Sequence, residues 1–298
     1  MSVKRILLLH HLVVQNANAL SSPYTIGFPA MTAWLGAVHA LERKVNQLTE
    51  NKVKFLSVGV VSHSCNLQTY RGKGDYVSSI IGTGNPLAKD GTRPAFIEEA
   101  RCHLNVSLVV ECEGMDVFTQ EEQLSVISDC LHARMKIAGG DLLEFGVPEL
   151  ISVSDEADRR RLMRRLMPGF ALIERRRLME EAMQEGQDAI DALLDYLTVK
   201  HRSEVDEDGR VSWTSGRKAP GWIVPIASGF QGLTEPGIYA NQRDPTTQHR
   251  FAESVVTLGE FVMPYRIEDL DDMLWTYYFD EENDLYLCRQ KNQPVINN

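Results

Sequence analysis

Histidine is the residue type in this chain best suited to acid–base chemistry, because the pKa of a free imidazole lies near neutral pH. His39 follows Trp34 and Leu35 in an apolar helical pattern. It is either a general base for metal-independent RNA cleavage or, the favoured interpretation, a histidine packed near the core. His10 and His11 are adjacent in a predicted strand, where neighbouring side chains point to opposite faces. That geometry argues against a shared metal site.

The sequence lacks the common motifs of catalysis. It has no G-x-S-x-G nucleophile turn, no phosphate-binding P-loop, no G-x-G-x-x-G after the first predicted strand and no H-E-x-x-H metal motif. The five cysteines form no C-x-x-C pair, which predicts neither a disulfide framework nor a zinc site and fits a reducing cytoplasm. We therefore expect no catalytic site, no metal ion and no cofactor.

Four polar and basic loops carry side chains suited to nucleic-acid contact, because amides bind base edges and cations bind phosphates. The loop at 15–22 is rich in amides and hydroxyls, and its alternative is a turn that hydrogen-bonds to itself. A glycine-rich insertion at 66–97 suits single-stranded nucleic acid, or is a mobile surface loop. The candidate contacts are Gln15, Asn16, Asn18, Ser21, Arg71, Lys73, Asn85, Lys89, Arg93, Arg217, Lys218, Asn241, Arg243, His249 and Arg250.

The net charge of −10 argues against general nucleic-acid binding, but the charge is unevenly distributed. Eight arginines and one acid fall between Arg159 and Arg177, whereas ten acids and two basic residues fall between Glu180 and Asp208. A chain with such segregated charge can present one positive face despite a negative total. The acidic stretches at 180–208 and 268–284 are either solvated surface or a means of limiting stray nucleic-acid binding.

The elements that must position the first two loops follow the order β-α-β-β-α-β. Strands are predicted at 4–15, 53–64, 101–112 and 141–153, and helices at 30–45 and 119–137. The insertion falls between the second and third strands and is too long for a simple connection. The order predicts an α+β fold with a ferredoxin-like, RNA-recognition-like core in residues 1–153, from which a thumb projects at about 66–97.

The second half, 154–298, is predicted to pack a helical segment and further strands on that core. In chain order its elements are a helix at 155–167, a strand at 170–174, a helix at 175–199, a charged loop at 203–219, a strand at 221–227, a helix at 251–263 and a hairpin of 273–279 with 285–288. The first of these helices has an apolar face and a separate face that carries four arginines.

Several long strings in the chain resemble one protein family. They are QNANALSSPYTIGFPAMTAWLGAVHAL, NPLAKDG, EEARCHLNVSL, MKIAGG, RRLMPGFALIER, KAPGWIVPI and RFAESVVTLGEF. Their order is similar to that in the second subunit of the Csy complex, the Cas-five-type protein of type I-F CRISPR systems. The resemblance runs from residue 7 to about residue 286, and the segments 46–53 and 178–215 and the last ten residues differ from the family.

The resemblance implies a fold similar to the RNA-recognition-like domain of repeat-associated CRISPR proteins. It implies a subunit without catalytic activity that caps the 5′ handle of the guide RNA, pairs with the large subunit, abuts the first backbone subunit and lies near target double-stranded DNA. The positions that match the family for guide binding are Gln15, Asn16, Asn18, Asn85, Arg93 and the stretch 243–250. Two other hypotheses stay open. One is a metal-independent endoribonuclease, since other Cas-five-type proteins process guide RNA, and the other is a scaffold that contacts only protein.

Overall fold

Strands and short helices alternate along the chain in the computed structural model, which describes residues 3–81, 87–93, 99–116, 118–206, 208–242, 244–290 and 292. The strands are β1 (Lys4–Asn18), β2 (Leu20–Ser22), β3 (Thr25–Ile26), β4 (Lys54–Leu67), β5 (Thr69–Tyr70), β6 (Ser79–Ile80), β7 (Arg101–Glu113), β8 (Lys136–Ile137), β9 (Gly140–Glu144), β10 (Glu149–Val153), β11 (Phe170–Glu174), β12 (Lys200–Val205), β13 (Val211–Gly216), β14 (Ile223–Gly232), β15 (Ala252–Val262), β16 (Trp275–Asp280) and β17 (Leu285–Gln290). The helices are α1 (Met31–Leu48), α2 (Gln120–Arg134), α3 (Glu156–Arg165), α4 (Arg176–Gln184) and α5 (Ala189–Leu197), with 3₁₀ turns at Pro264–Arg266 and Leu270–Met273. The predicted α+β class is confirmed.

One large antiparallel sheet organises these elements. Its strand order is β11-β15-β14-β17-β16-β4-β7-β1-β9-β8, and β10 also pairs with β1. β4 pairs with β7 along one edge, and its other edge receives β16 at Val58 and β11 at Val61. The strands β11, β15, β14, β17 and β16 therefore leave β4 and return to it, which closes a ring.

Alternate residues of β1 contribute to two separate cores, because successive side chains of a strand point to opposite faces. Leu7 belongs to the apolar cluster that contains Trp34 of α1, and Leu8 belongs to the cluster that contains Leu162 of α3. The indole Nε1 of Trp34 donates to the carbonyl oxygen of Pro29 at 3.2 Å, which fixes how the chain enters α1. No helix in the described part of the chain is long and apolar enough to cross a membrane.

The helix predicted at 251–263 is wrong, because this segment is strand β15. Val255, Val256 and Thr257 are β-branched and favour a strand. Both edges of β15 are hydrogen-bonded, one to β14 and the other to β11. Residues 257–260 are buried at consecutive positions, so this part of β15 is covered on both faces and its burial periodicity does not distinguish it from a buried helix.

Other predictions for the second half are partly correct. The single helix at 175–199 is wrong, since the chain turns at Gly186, whose φ is +100°, and this turn separates α4 from α5. The charged loop at 203–219 is also wrong, because most of it forms the β12–β13 hairpin. The hairpin predicted at 273–279 with 285–288 is confirmed as β16 and β17.

Candidate nucleic-acid interface

The face of the sheet that carries Leu8 changes from apolar to polar along β1, β4 and β7. Around Leu8 it is buried against α3, whereas towards the start of β7 it carries exposed or half-buried polar side chains. Cross-strand pairing sets Asn66 beside His103 and Ser64 beside Asn105. We call the polar set His11, Asn16, His63, Asn66, His103 and Asn105 the open face.

Two irregularities in β1 create its contribution to the open face. The register with β7 slips once around His11 and once around Asn16, and these residues have φ values of +46° and +56°. The first irregularity brings the rings of His10 and His11 to 6.1 Å between centroids, with their planes 18° apart. The prediction that these two side chains point to opposite faces is therefore wrong, because it assumed a regular strand.

A chain of hydrogen bonds fixes His63 beside His11. The Nδ1 atom of His63 lies 2.6 Å from the carbonyl oxygen of Pro168, and its Nε2 lies 2.7 Å from Ser107 Oγ. Because a carbonyl only accepts, Nδ1 carries the proton and Nε2 accepts from the Ser107 hydroxyl. Ser107 Oγ in turn accepts from the backbone N–H of His11 at 3.1 Å. The two imidazole rings consequently lie 4.2 Å apart.

The imidazoles of His63 and His10 offer polarity without positive charge. Burial lowers the pKa of His63 and of His10 below the usual value, so both rings are neutral at neutral pH. His11 Nδ1 lies 3.1 Å from Asn105 Oδ1, which orients the exposed His11 ring. Neutral donors, acceptors and ring faces suit contact with nucleobases, whereas phosphates are bound mainly by cations and backbone amides.

The predicted loop at 15–22 divides into an exposed part and a part that hydrogen-bonds to itself. Asn16 is exposed, and its backbone N–H donates to His103 Nδ1 at 3.1 Å. The Asn18 side chain hydrogen-bonds within its own turn, because its Nδ2 donates to the Leu20 carbonyl oxygen and its Oδ1 accepts from the Leu20 N–H, each at 3.1 Å. The open face therefore uses the Asn16 side of this loop.

Two further members of that loop follow the same division. Gln15 is exposed, and its backbone pairs with Asp141 of β9. Ser21 is half-buried, and its Oγ lies 2.8 Å from Thr25 Oγ1. Gln15 thus extends the exposed polar surface next to Asn16, while Ser21 holds the short β2–β3 pair together.

The insertion starts beside the open face. Gln68 N–H donates to the carbonyl oxygen of Arg101 at 2.8 Å, and Arg101 pairs with Asn18 across β7 and β1. β5 and β6 form a hairpin, within which Arg71 Nε donates to the carbonyl oxygen of Asp75 at 2.8 Å. We call this insertion, at about 66–97, the thumb. Lys73, Lys89 and Arg93 of the thumb are exposed, and Asn85 lies outside the described residues. The structure thus brings together the first two predicted loops.

Two predicted basic contacts in the second half are engaged with protein atoms. Lys218 Nζ lies 2.9 Å from Asp195 Oδ2. Arg250 Nη1 lies 2.9 Å from Asp284 Oδ1, and its Nε donates to the carbonyl oxygen of Thr234 at 2.8 Å. These ion pairs hold surface loops in place. Of the other candidates, Arg217, Asn241 and His249 are exposed, and Arg243 lies outside the described residues.

Comparison with known proteins decides the family. A family model described as CRISPR-associated protein (Cas_Csy2) matches residues 7–288. The chain belongs to the Csy2 family. It is also 36% identical over 309 residues to the CRISPR-associated protein Csy2 of Pseudomonas aeruginosa (strain UCBPP-PA14), with 94% of each chain covered. The resemblance found in the sequence is confirmed.

Membership of the Csy2 family makes this chain a subunit of the type I-F CRISPR complex and a Cas-five-type protein. The matched span includes every residue of the open face and both ends of the thumb. It also includes β16 and most of β17, so the ring of strands belongs to the matched region.

The candidate contacts predicted from the sequence of this Csy2 chain include only one residue of the open face, Asn16. The other five are absent from them: His11, His63, Asn66, His103 and Asn105. One signal was nevertheless available. In β7 the string RCHLNVS alternates polar and apolar residues, a pattern that predicts a strand with one polar face. The same signal is missing in β1, where two irregularities interrupt the alternation.

Proposed function

We propose that this chain binds the 5′ handle of the guide RNA on its open face, with the thumb beside it, and contributes no catalytic step. One observation carries the proposal, namely that β1, β4, β7 and the base of the thumb converge on a polar sheet face. Single-stranded RNA exposes unstacked bases that amides and imidazoles can bind. Membership of a CRISPR complex family supports RNA as the ligand.

The order of the first strands supports a ferredoxin-like arrangement of residues 1–153. β4, β7, β1 and β10 are neighbours in that order, and each pairing is antiparallel. Residues of α1 and α2 share one apolar cluster with these strands. The third strand of the unit thus lies between the first and second, as in a split β-α-β-β-α-β fold. We assign the thumb to an insertion at about 66–97 and residues 154–298 to the part that packs on this unit.

Exposed aromatic side chains support a partner surface on the second half. Tyr278, Phe279 and Tyr286 are each at least 40% exposed on β16 and β17, and Trp213 is 70% exposed on β13. Aromatic residues are enriched at protein–protein interfaces. The proposed partner is the large subunit of the complex, with the first backbone subunit and target double-stranded DNA as further neighbours.

A metal-independent endoribonuclease is the second candidate function. It is favoured by the His11 and His63 rings, which lie 4.2 Å apart on the open face. Two histidines can act as a general base and a general acid. Against this, both ring nitrogens of His63 are engaged, by Pro168 and Ser107, and its lowered pKa disfavours the protonated form that a general acid needs.

We therefore expect the purified chain to leave a labelled repeat RNA intact, because both ring nitrogens of His63 are engaged in hydrogen bonds and neither is available for proton transfer. The measurement is gel analysis of the RNA after incubation without metal ions. Specific cleavage that disappears in His11→Ala would favour the nuclease on the open face. Specific cleavage that disappears only in His39→Ala would place a nuclease site on the exposed face of α1 instead.

Handle binding is tested with the heterodimer of this chain and the large subunit, using the native handle and a scrambled RNA at several salt concentrations. Asn16→Ala should weaken the native handle more than the scrambled RNA by about 1–3 kcal/mol, because an amide that pairs with a base carries sequence information. The salt dependence should stay unchanged. Arg93→Ala should weaken both RNAs alike and reduce the salt slope by about 1, because it removes one phosphate contact.

Two variants in exposed turns away from the open face serve as controls. Asn283→Ala removes an amide that donates to Asp280 in the β16–β17 turn, and Arg210→Ala removes a cation beside β13. Neither should change RNA affinity. If Asn16→Ala weakens both RNAs equally, its loop is structural rather than base-reading. If the wild-type heterodimer binds neither RNA, the scaffold hypothesis is correct.

A further inference from the structure

A cavity opens next to the open face, on the outer side of β4. Its volume is about 310 Å³, at the lower end of the range of about 300–1,000 Å³ that is usual for small-molecule sites. His63 lines this cavity and also belongs to the open face, so the two sites are contiguous. The cavity therefore lies where a nucleotide bound on the open face could reach it.

Aromatic rings form the walls of the cavity. Trp222 lies 5.3 Å from Phe170 and 5.2 Å from Phe261 between ring centroids, and Phe28 lies 5.3 Å from Phe261. Although Trp222 packs against these rings, 52% of its surface is exposed. Its carbonyl oxygen accepts from the Phe261 N–H at 3.1 Å, which holds its backbone in place. The walls thus present a fixed ring with an uncovered surface, which suits stacking of a flat ligand.

Polar groups of β4 also line the cavity. Ser62 and Ser64 line it, together with the intervening His63. The outer edge of β4 pairs with Phe170 at Ser62, and beyond this point no strand within the described ranges pairs with that edge. Hydroxyls and a strand edge offer donors and acceptors, which a nucleobase needs for its own edge and an aliphatic side chain does not.

We infer that this cavity binds one unstacked nucleobase of the RNA held on the open face, between the Trp222 ring and the edge of β4. The inference rests on the proposed function and assigns a specific subsite to it. A base bound here is turned away from the neighbouring bases of the RNA. It is recognised by stacking on the Trp222 ring and by hydrogen bonds between its edge and β4. The other occupant that the cavity admits is an aromatic side chain of a partner protein, and the experiment separates the two.

The test combines protein variants with a scan of the RNA. The probe is the repeat-derived 5′ segment of the guide RNA from the same CRISPR array, made as a series in which one nucleotide at a time is abasic. Its affinity is measured for the full chain in its heterodimer, as wild type, Trp222→Ala, Trp222→Phe and Tyr265→Ala. We expect Trp222→Ala to weaken the intact RNA about tenfold, because stacking of one base is lost. Trp222→Phe should restore most of the affinity. Tyr265→Ala, which removes an exposed ring from the 3₁₀ turn at Pro264–Arg266, should leave it unchanged.

Non-additivity identifies the base in the cavity. At one abasic position, the wild type should lose about as much affinity as the Trp222→Ala substitution costs with intact RNA. The Trp222→Ala protein should bind that abasic RNA as tightly as it binds intact RNA. This comparison is made within one variant, so a folding defect of Trp222→Ala does not mimic it. Equal further losses at every abasic position would overturn the subsite while leaving handle binding in place. Loss of the partner subunit at unchanged RNA affinity would assign the cavity to a protein side chain. If the wild type binds no RNA, the proposed function and the subsite fall together.

Discussion

Trp275→Ala is expected to lower the free energy of unfolding by about 3–5 kcal/mol. Trp275 is fully buried at the start of β16, where it pairs with Val58 of β4. Its Nε1 donates to the carbonyl oxygen of Leu172 in β11 at 2.9 Å, so one side chain ties together the strands that close the ring. The substitution leaves a large cavity and a buried carbonyl without its donor. Urea unfolding of the purified chain, followed by circular dichroism, measures the effect.

Two further variants separate burial from the hydrogen bond. Trp213→Ala removes the same side chain from β13, where it is 70% exposed, and should change stability by less than about 0.5 kcal/mol. Trp275→Phe keeps a buried ring without the N–H donor, so its loss should fall between those of the two alanine variants. If Trp275→Ala is no more destabilising than Trp213→Ala, the ring does not depend on this contact.

Local patterns in the sequence predict the β16–β17 hairpin but not the ring to which it belongs. The aromatic run before the acidic turn DEEND and the apolar run after it suffice to predict two paired strands. Closure of the ring depends on β11 and β16 sharing one edge of β4, and these strands are far apart in the chain. Hydrophobic periodicity reports which residues are buried and not which strands are neighbours, so this topology was not predictable.

The open face shows the same limit at the level of single residues. The exposed amides of 15–16 were predictable from their side chains, since polar groups in a loop are candidates for contact. His63 was not, because its place depends on Ser107 of β7 and on Pro168, which follows α3. The position of His11 was not predictable either, because its own backbone has a positive φ. This conformation is uncommon for a residue other than glycine, and the histidine side chain does not predict it.

The arginine-rich stretch offers less positive charge than its composition suggests. Arg160 and Arg161 are exposed on α3, but they pair with Glu156 and Asp158 in the first turn of the same helix. Spacings of three and four residues between opposite charges predict such pairs, and the sequence contains them. Lys73, Lys89 and Arg93 of the thumb are exposed, so they are the better candidates for the expected positive face.

Gly140→Ala should disturb both the fold and RNA binding. A Cβ atom at this position of β9 would lie 2.6 Å from the carbonyl oxygen of Gln15 and 2.7 Å from the N atom of Ala17. These are backbone atoms on either side of Asn16, so β1 can accommodate the methyl group only by shifting that residue. We expect a loss of about 1–3 kcal/mol in the free energy of unfolding, which is the usual cost of overpacking. Affinity for the native handle should fall by as much as in Asn16→Ala, about 1–3 kcal/mol.

Gly216→Ala provides the matched control for this variant. It makes the same chemical change at the end of β13, where a Cβ atom meets nothing within 4 Å, so neither stability nor RNA affinity should change. Affinity is compared at a temperature where the Gly140→Ala protein is still folded by circular dichroism. If stability falls but affinity for the native handle is retained, the segment around Asn16 does not position the RNA, and the handle is held by the thumb instead. If the scrambled RNA loses as much affinity as the native handle, β1 supports the shape of the site and not its sequence preference.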